Sequence, residues 1–119
     1  MDFDECACSG KSLARLLRPA IMGTLAKGGA HGYELAQRLR EMKMFAGDLP
    51  DHAGLYRALN HMEQEGYLVS RWDTEHAGPA RKIFKLTSAG RACLAQWRET
   101  LRGYRQGLDE LLRLLGRAR

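Results

Sequence analysis

The chain has 119 residues, 45% of them hydrophobic and 28% charged, which suits one folded domain with a modest core and excludes a disordered chain. No apolar run approaches the roughly 20 residues a membrane span needs, the acidic start MDFDE lacks a signal peptide's layout, and three cysteines without such a leader argue against a disulfide framework, so a cytoplasmic protein with no membrane partner is expected. The net charge of +5 is divided as +1 over residues 1–30, −2 over 31–66, +2 over 67–90 and +4 over 91–119, so a nucleic-acid partner has to be met by individually placed side chains rather than by a uniform basic field.

The chain begins with a cysteine-containing tip, residues 1–12, in which DECACSGKS sets Cys6 and Cys8 one residue apart. From residue 13, apolar side chains recur at Leu13, Leu16, Leu17, Ala20, Ile21 and Leu25, the spacing of a helix face. Pro19 inside this pattern predicts a kink or a helix start close by. KGGAHG ends that helix. GYELAQRLREM is a second helix with Tyr33, Leu35, Ala36, Leu39 and Met42 as its inner face. FAGDLPD reads as a turn, with Asp51 as N-cap of a third helix, HAGLYRALNHMEQEG, whose Leu55, Ala58, Leu59 and Met62 face inward and whose Gly66 closes it.

YLVSRWD and RKIFKLT then flank TEHAGPA, which predicts a two-stranded hairpin with a projecting loop. Trp72, Phe84 and Leu86 read as strand packing. Thr87 is positioned to cap a last helix. In that helix Leu94, Leu101, Leu108 and Leu115 recur every seven residues, with Trp97, Tyr104 and Leu111 between them. A domain this small cannot bury so long a seam alone, and a second copy of the chain is the natural partner.

The expected fold class is therefore mainly α (α+β): a winged helix-turn-helix over residues 13–87 with a two-stranded β wing, followed by a long C-terminal dimerisation helix over 88–119. Three stretches, HGYELAQRL, GLYRALNHMEQEGYL and GPARKIFKLTSAG, occur in this order and with compatible spacing, and over roughly residues 13–100 the chain resembles the PadR family of bacterial transcriptional regulators. The resemblance implies a winged helix, a homodimer formed through the C-terminal helix, and repression responsive to a ligand or to stress. The short last helix looks like that of the shorter-tailed subgroup. The reading that follows is a repressor that binds a pseudo-palindromic operator in double-stranded DNA. The alternative is a winged-helix protein-interaction module that does not bind DNA, for which the acidic balance of residues 31–66 speaks.

With Leu55 at the centre of the third helix's buried face, Arg57, Asn60, His61 and Gln64 point away from the core at 100° per residue. Arg57 and Asn60 are the residue types that read guanine and adenine edges. Gly54 permits close approach to a phosphate, and Tyr56, where the family resemblance also implies a tyrosine in the recognition helix, can reach a phosphate or a base edge. In the wing Arg81 and Lys82, with Arg71 and His76 nearby, are the candidate phosphate contacts, and replacing Arg81 and Lys82 by Ala should flatten the salt dependence of binding by about 2.

Two effector sites are open. Cys6 and Cys8 are soft ligands that, with Cys93 or with the same pair from a second copy, could hold a thiolate-bound metal, metalloid or iron–sulfur centre or act as a redox switch; a loose tip and a buried Cys93 are the plainer reading. Trp97 and Tyr104 on the dimer seam (Leu94, Trp97, Leu101, Tyr104, Leu108, Leu111, Leu115) could line a ligand cavity, as the resemblance implies for members that sense phenolic or multidrug ligands; a filled seam is the plainer reading. SGKS is not a phosphate loop, because Glu5 stands where that motif needs glycine. The histidines His31, His52, His61 and His76 have no metal-ligand spacing; His31 opens the second helix and is expected to cap it or pack. No nucleophile with a base, and no carboxylate pair on one element, supports an enzyme.

Overall fold

A computed structural model describes residues 16–45, 47, 49–75 and 78–117 of the chain. The first helix, α1 (Leu17–Leu25), buries Leu17, Pro19, Ile21, Met22 and Leu25. Pro19 sits in the first turn, where its missing N–H has no intrahelical acceptor to lose, so the helix starts beside the proline and is not kinked by it. After the glycines comes a strand of two residues, β1 (Ala30–His31), and directly from it α2 (Gly32–Arg40).

The inner face of α2 is Leu35, Ala36 and Leu39, while Tyr33 is 57% and Met42 40% exposed. That corrects the expectation for these two. At 100° per residue Tyr33 lies about 200° from Leu35, on the opposite side of the helix. The expected turn at FAGDLPD is instead entered through a 3₁₀ turn at Lys43–Phe45, which drives Phe45 into the core with no exposure.

The third helix, α3 (His52–Gln64), starts at Asp51, whose Oδ1 accepts from the Gly54 amide at 2.8 Å. It buries Leu55, Leu59 and Met62 and ends at Gly66, whose φ of +88° is left-handed backbone that favours glycine. Then follow β2 (Leu68–Asp73) and β3 (Arg81–Leu86), antiparallel with Leu68 opposite Leu86 and Asp73 opposite Arg81. β1 adds to the far edge of β3, Ala30 opposite Phe84 and His31 opposite Ile83. The sheet is thus three-stranded, in the order β1-β3-β2, where the sequence predicts two strands. A two-residue strand beside glycines has no period to read.

Fifteen apolar residues of α1, β1, α2, the 3₁₀ turn, α3, β2 and β3 form one core, and no polar or charged residue is buried in it among the described residues. The last helix, α4 (Ser88–Arg117), is capped by Thr87, whose Oγ1 accepts from the Gly90 amide at 3.0 Å and donates to the Gly66 carbonyl at 2.6 Å. Cys93, Leu94 and Trp97 pack against the core's edge. Beyond Leu101 every described residue of α4 is exposed. The result is a winged helix-turn-helix of α+β class with a small antiparallel sheet and a long projecting helix.

Candidate nucleic-acid interface

Four aromatic side chains set the angle between α2, α3 and the sheet. The rings of Tyr33 and His52 meet edge-on at 6.0 Å, those of His52 and Tyr56 at 5.6 Å, and those of Tyr56 and Phe84 at 6.3 Å. Tyr56 is half-buried and lies over the first residue of α2: a Cβ on Gly32 would stand 2.5 Å from its hydroxyl oxygen. Only a residue without a side chain admits the tyrosine there. Tyr56 therefore packs α3 against α2 while its side chain also lines a cleft at the surface.

Between α3 and the hairpin lies an open cleft of about 650 Å³. His31 and Tyr33 line it from the start of α2, Tyr56 and Asn60 from α3, and Trp72, Arg81 and Lys82 from the strands. Of the residues singled out in the sequence, Tyr56, Asn60, Arg81 and Lys82 thus come together. The loop that would carry His76 lies outside the described residues at that position.

Lys82 is held by its own chain. Its Nζ is 3.4 Å from Glu63 Oε1, 3.5 Å from Asn60 Oδ1 and 5.4 Å from the centre of the Phe84 ring. Glu63 Oε2 also accepts from the Ser70 hydroxyl at 2.5 Å. That hydrogen bond, chiefly, holds the Glu63 carboxyl below the usual carboxylate range; desolvation opposes it, and the Lys82 charge and its hydrogen bond assist. One carboxylate of α3 therefore ties down both strands of the hairpin. Arg81 points its Nη1 to within 3.2 Å of His31 Nε2.

The other expected contacts stand apart. Gly54 and Arg57 lie on the outer side of the first turns of α3. A Cβ on Gly54 would be 3.0 Å from Pro50 Cβ and 3.1 Å from Asp51 Oδ1, so the capping turn itself favours glycine. His61 is turned to the far flank, its Nε2 3.5 Å from Glu65 Oε1, which also takes the Arg18 guanidinium at 2.8 Å. Arg71 is exposed and opposite Ile83, on the reverse face of the hairpin from Trp72.

Two cleft residues escaped the sequence analysis as surface groups. Tyr33 was legible from the helical angle given above. Trp72 shares a strand face with buried Leu68, which suggests packing, yet it is 64% exposed. The hairpin runs past the edge of the core, and a face that begins inside the protein ends outside it.

On the other side of the molecule an apolar cleft of about 1250 Å³ separates α1 and the end of α2 from α4, lined by Pro19, Met42, Met44, Trp97 and Leu101 among others. Tyr104, less than one turn past Leu101 on α4, is exposed beyond it. Cys93 is half-buried, and Cys6 and Cys8 lie outside the described residues. No cluster of three or more His, Cys, Asp or Glu able to hold a metal occurs among the described residues. Nor is any described helix long and apolar enough to cross a membrane.

Residues 21–96 match the family model described as Transcriptional regulator PadR-like family. A probable transcriptional regulator of Mycobacterium tuberculosis is 33% identical over 79 residues, 66% of this chain and 41% of its own. The negative transcriptional regulator PadR of Bacillus subtilis is 29% identical over 84 residues, 70% of this chain and 45% of its own. The chain thus spans less than half the length of the curated relatives it matches. Among solved structures, Bacillus subtilis PadR in complex with operator DNA is 28% identical with a TM-score of 0.59, over 70% of this chain and 46% of that one. A Streptococcus mutans protein is 26% identical with a TM-score of 0.73, over 89% of this chain and 92% of that one.

Proposed function

The chain belongs to the transcriptional regulator PadR-like family, a family of regulators rather than enzymes, and we propose on that premise that it is a cytoplasmic repressor that binds a pseudo-palindromic operator in double-stranded DNA as a homodimer. The observation that carries the reading is the cleft between α3 and the hairpin, where Tyr56, Asn60, Arg81 and Lys82 converge at the place a winged helix meets the duplex. That a relative of known structure was solved on operator DNA supports it, as does the negative sign of regulation in a relative's name.

In this reading residues 13–87 are the DNA-binding unit and 88–119 the dimerisation helix. Arg57 and Asn60 read base edges from the exposed face of α3, with Gly54, Tyr56 and His61 along the same helix. Arg71, Arg81 and Lys82 meet phosphates. The exposed stripe of α4, Tyr104, Leu108, Leu111 and Leu115, is covered by a second copy, continuing from Leu94, Trp97 and Leu101.

The input is either a thiol or metal site at Cys6 and Cys8, with Cys93, or an apolar ligand. The large cleft lined by Trp97 favours the ligand, since it is open to a planar guest at the root of the dimerisation helix. Thiol alkylation and metal analysis decide the first, and Trp97 fluorescence against a panel of aromatic compounds the second.

Fluorescence anisotropy on DNA upstream of the chain's own gene, against random duplex and across a range of salt, tests the main reading. Tight, salt-dependent binding with preference for the upstream DNA is expected. Indifference to DNA at low salt would leave the protein-interaction module in its place.

A further inference from the structure

His31 and Arg81 meet where the start of α2 touches the wing. The imidazole of His31 is fixed from behind: its Nδ1 accepts the Glu34 amide at 3.2 Å and so caps α2. A ring nitrogen that accepts carries no proton, so the neutral ring has its single hydrogen on Nε2. That nitrogen stands 3.2 Å from Arg81 Nη1, and a guanidinium has donors only. Two N–H groups therefore face each other with no acceptor between them.

No change of tautomer or protonation within the pair removes the conflict. The other tautomer gives Arg81 an acceptor and takes one from the Glu34 amide, leaving the helix without its cap. A protonated ring loses the cap as well and adds a positive charge beside the guanidinium. The carboxylates nearby are engaged elsewhere: Glu34 with Arg38 at 3.0 Å, and Glu63 with Ser70 and Lys82. Asp73, opposite Arg81 in the strand register, accepts from the Glu75 amide at 3.1 Å.

Both residues line the cleft between α3 and the wing. An anionic oxygen, with lone pairs to spare, satisfies both donors at once and, unlike water, also answers the guanidinium's charge. We propose that His31 and Arg81 form a clamp for one backbone phosphate of duplex DNA, with His31 acting as a neutral Nε2–H donor. The proposal rests on the DNA-binding reading and adds to it a residue outside both the recognition helix and the wing. Because His31 is anchored in β1 and in the cap of α2, the clamp would fix where the sugar-phosphate chain passes, and hence how deeply α3 sits in the groove. A phosphate contact of this kind is blind to sequence.

The test uses the whole chain. Nitrogen-15 NMR of the imidazole reports the tautomer in the absence of DNA, and no variant is needed. His31→Asn keeps a good N-cap acceptor and removes the Nε2 donor; its thermal melt checks that the fold is intact. Binding of wild type, His31→Asn, Arg81→Ala and the double variant to random-sequence duplex is then followed across salt. We expect the Nε2–H tautomer, about a tenfold weaker His31→Asn complex whose salt slope is that of wild type, and a slope flatter by about 1 for Arg81→Ala. The double variant should lose less than the sum of the two, because both donors serve one phosphate. An Nδ1–H tautomer overturns the clamp, as do wild-type affinity in His31→Asn or strictly additive losses. A wild-type protein that ignores duplex DNA at every salt concentration overturns the functional reading itself; one that binds while His31→Asn is unaffected overturns the clamp alone.

Discussion

Glu63 shows how much one side chain can organise at this junction. It projects from α3, accepts from Ser70 on β2 and pairs with Lys82 on β3. Its carboxyl is held below the ordinary range, chiefly by the Ser70 hydroxyl. A group whose folded-state pKa is depressed stabilises the fold where it is ionised: fully above the ordinary carboxylate pKa of about 4.3, and progressively less as pH falls through and below that value. Glu63→Gln should therefore cost about 1 kcal/mol at neutral pH, measured by urea denaturation, and the gap between variant and wild type should close on acidification. A gap of equal size at acid pH would mean that the carboxylate's charge is not what holds the hairpin. The same pairing revises the wing's electrostatics. Lys82 already has a carboxylate partner, so its gain from a phosphate is a difference between two partners. Replacing Arg81 and Lys82 by Ala should flatten the salt slope of DNA binding by closer to 1 than to the 2 that two unpaired cations would give, roughly one counterion being released per newly neutralised phosphate.

At the scale of elements, the close seat of Tyr56 on Gly32 fixes α3 against α2. Gly32→Ala places a methyl group against the tyrosine ring and hydroxyl, and overpacking of this kind costs typically 1–3 kcal/mol. A lower denaturation midpoint should accompany weakened DNA binding, while Gly32→Ala combined with Tyr56→Leu should recover part of the stability. A stable, fully active Gly32→Ala would show that Tyr56 is not held by this contact. Thr87 joins elements differently, since one hydroxyl caps α4 and binds the turn after α3. Thr87→Ala should lower stability by about 1–2 kcal/mol, whereas Thr87→Ser should lose far less; equal losses would assign the effect to the methyl group.

These elements also show what the sequence made visible. Helices α1 to α4, the caps at Asp51 and Thr87, Gly66 at the end of α3 and the β2–β3 hairpin were all legible, because each writes a period or a local hydrogen-bonding residue into the chain. β1 was not, because two residues cannot display alternation and its pairing with β3 is a long-range event. Phe45 was hidden for a related reason: a 3₁₀ turn of three residues is too short to declare which side is inward. In the candidate site, the residue types on α3 and the wing could be read, but their mutual engagement could not. Nothing in the spacing of Asn60, Glu63, Ser70 and Lys82 announces one network, nor does that of His31 and Arg81 announce a meeting across 50 positions.

For the whole molecule, shape and surface point the same way. The Cα radius of gyration is 17.0 Å, against about 13.5 Å for a compact chain of this length. The excess comes from α4, about 45 Å long at 1.5 Å per residue, whose outer half leaves the domain. That half carries Tyr104, Leu108, Leu111, Leu112, Leu114 and Leu115, each between 47% and 64% exposed. Arg105 stands at the edge of the stripe, whereas Arg113 and Arg117 lie on the opposite side of the helix at 100° per residue. The seven-residue period begins against the chain's own core at Leu94 and continues into solvent, and in the proposed dimer a second helix covers it from Tyr104 onward. Leu108→Glu with Leu115→Glu puts two charges on each copy into that seam and leaves the winged domain untouched. On the proposed dimer, sedimentation should show two copies for wild type and a monomer for the variant. Helix content should fall as the outer half of α4 frays. Affinity for a two-half-site operator should drop by orders of magnitude, toward that of one half-site, because the second contact ceases to be intramolecular. If the variant remains dimeric, the dimer must be held elsewhere, and the apolar cleft between α1 and the root of α4 is then the surface to mutate next.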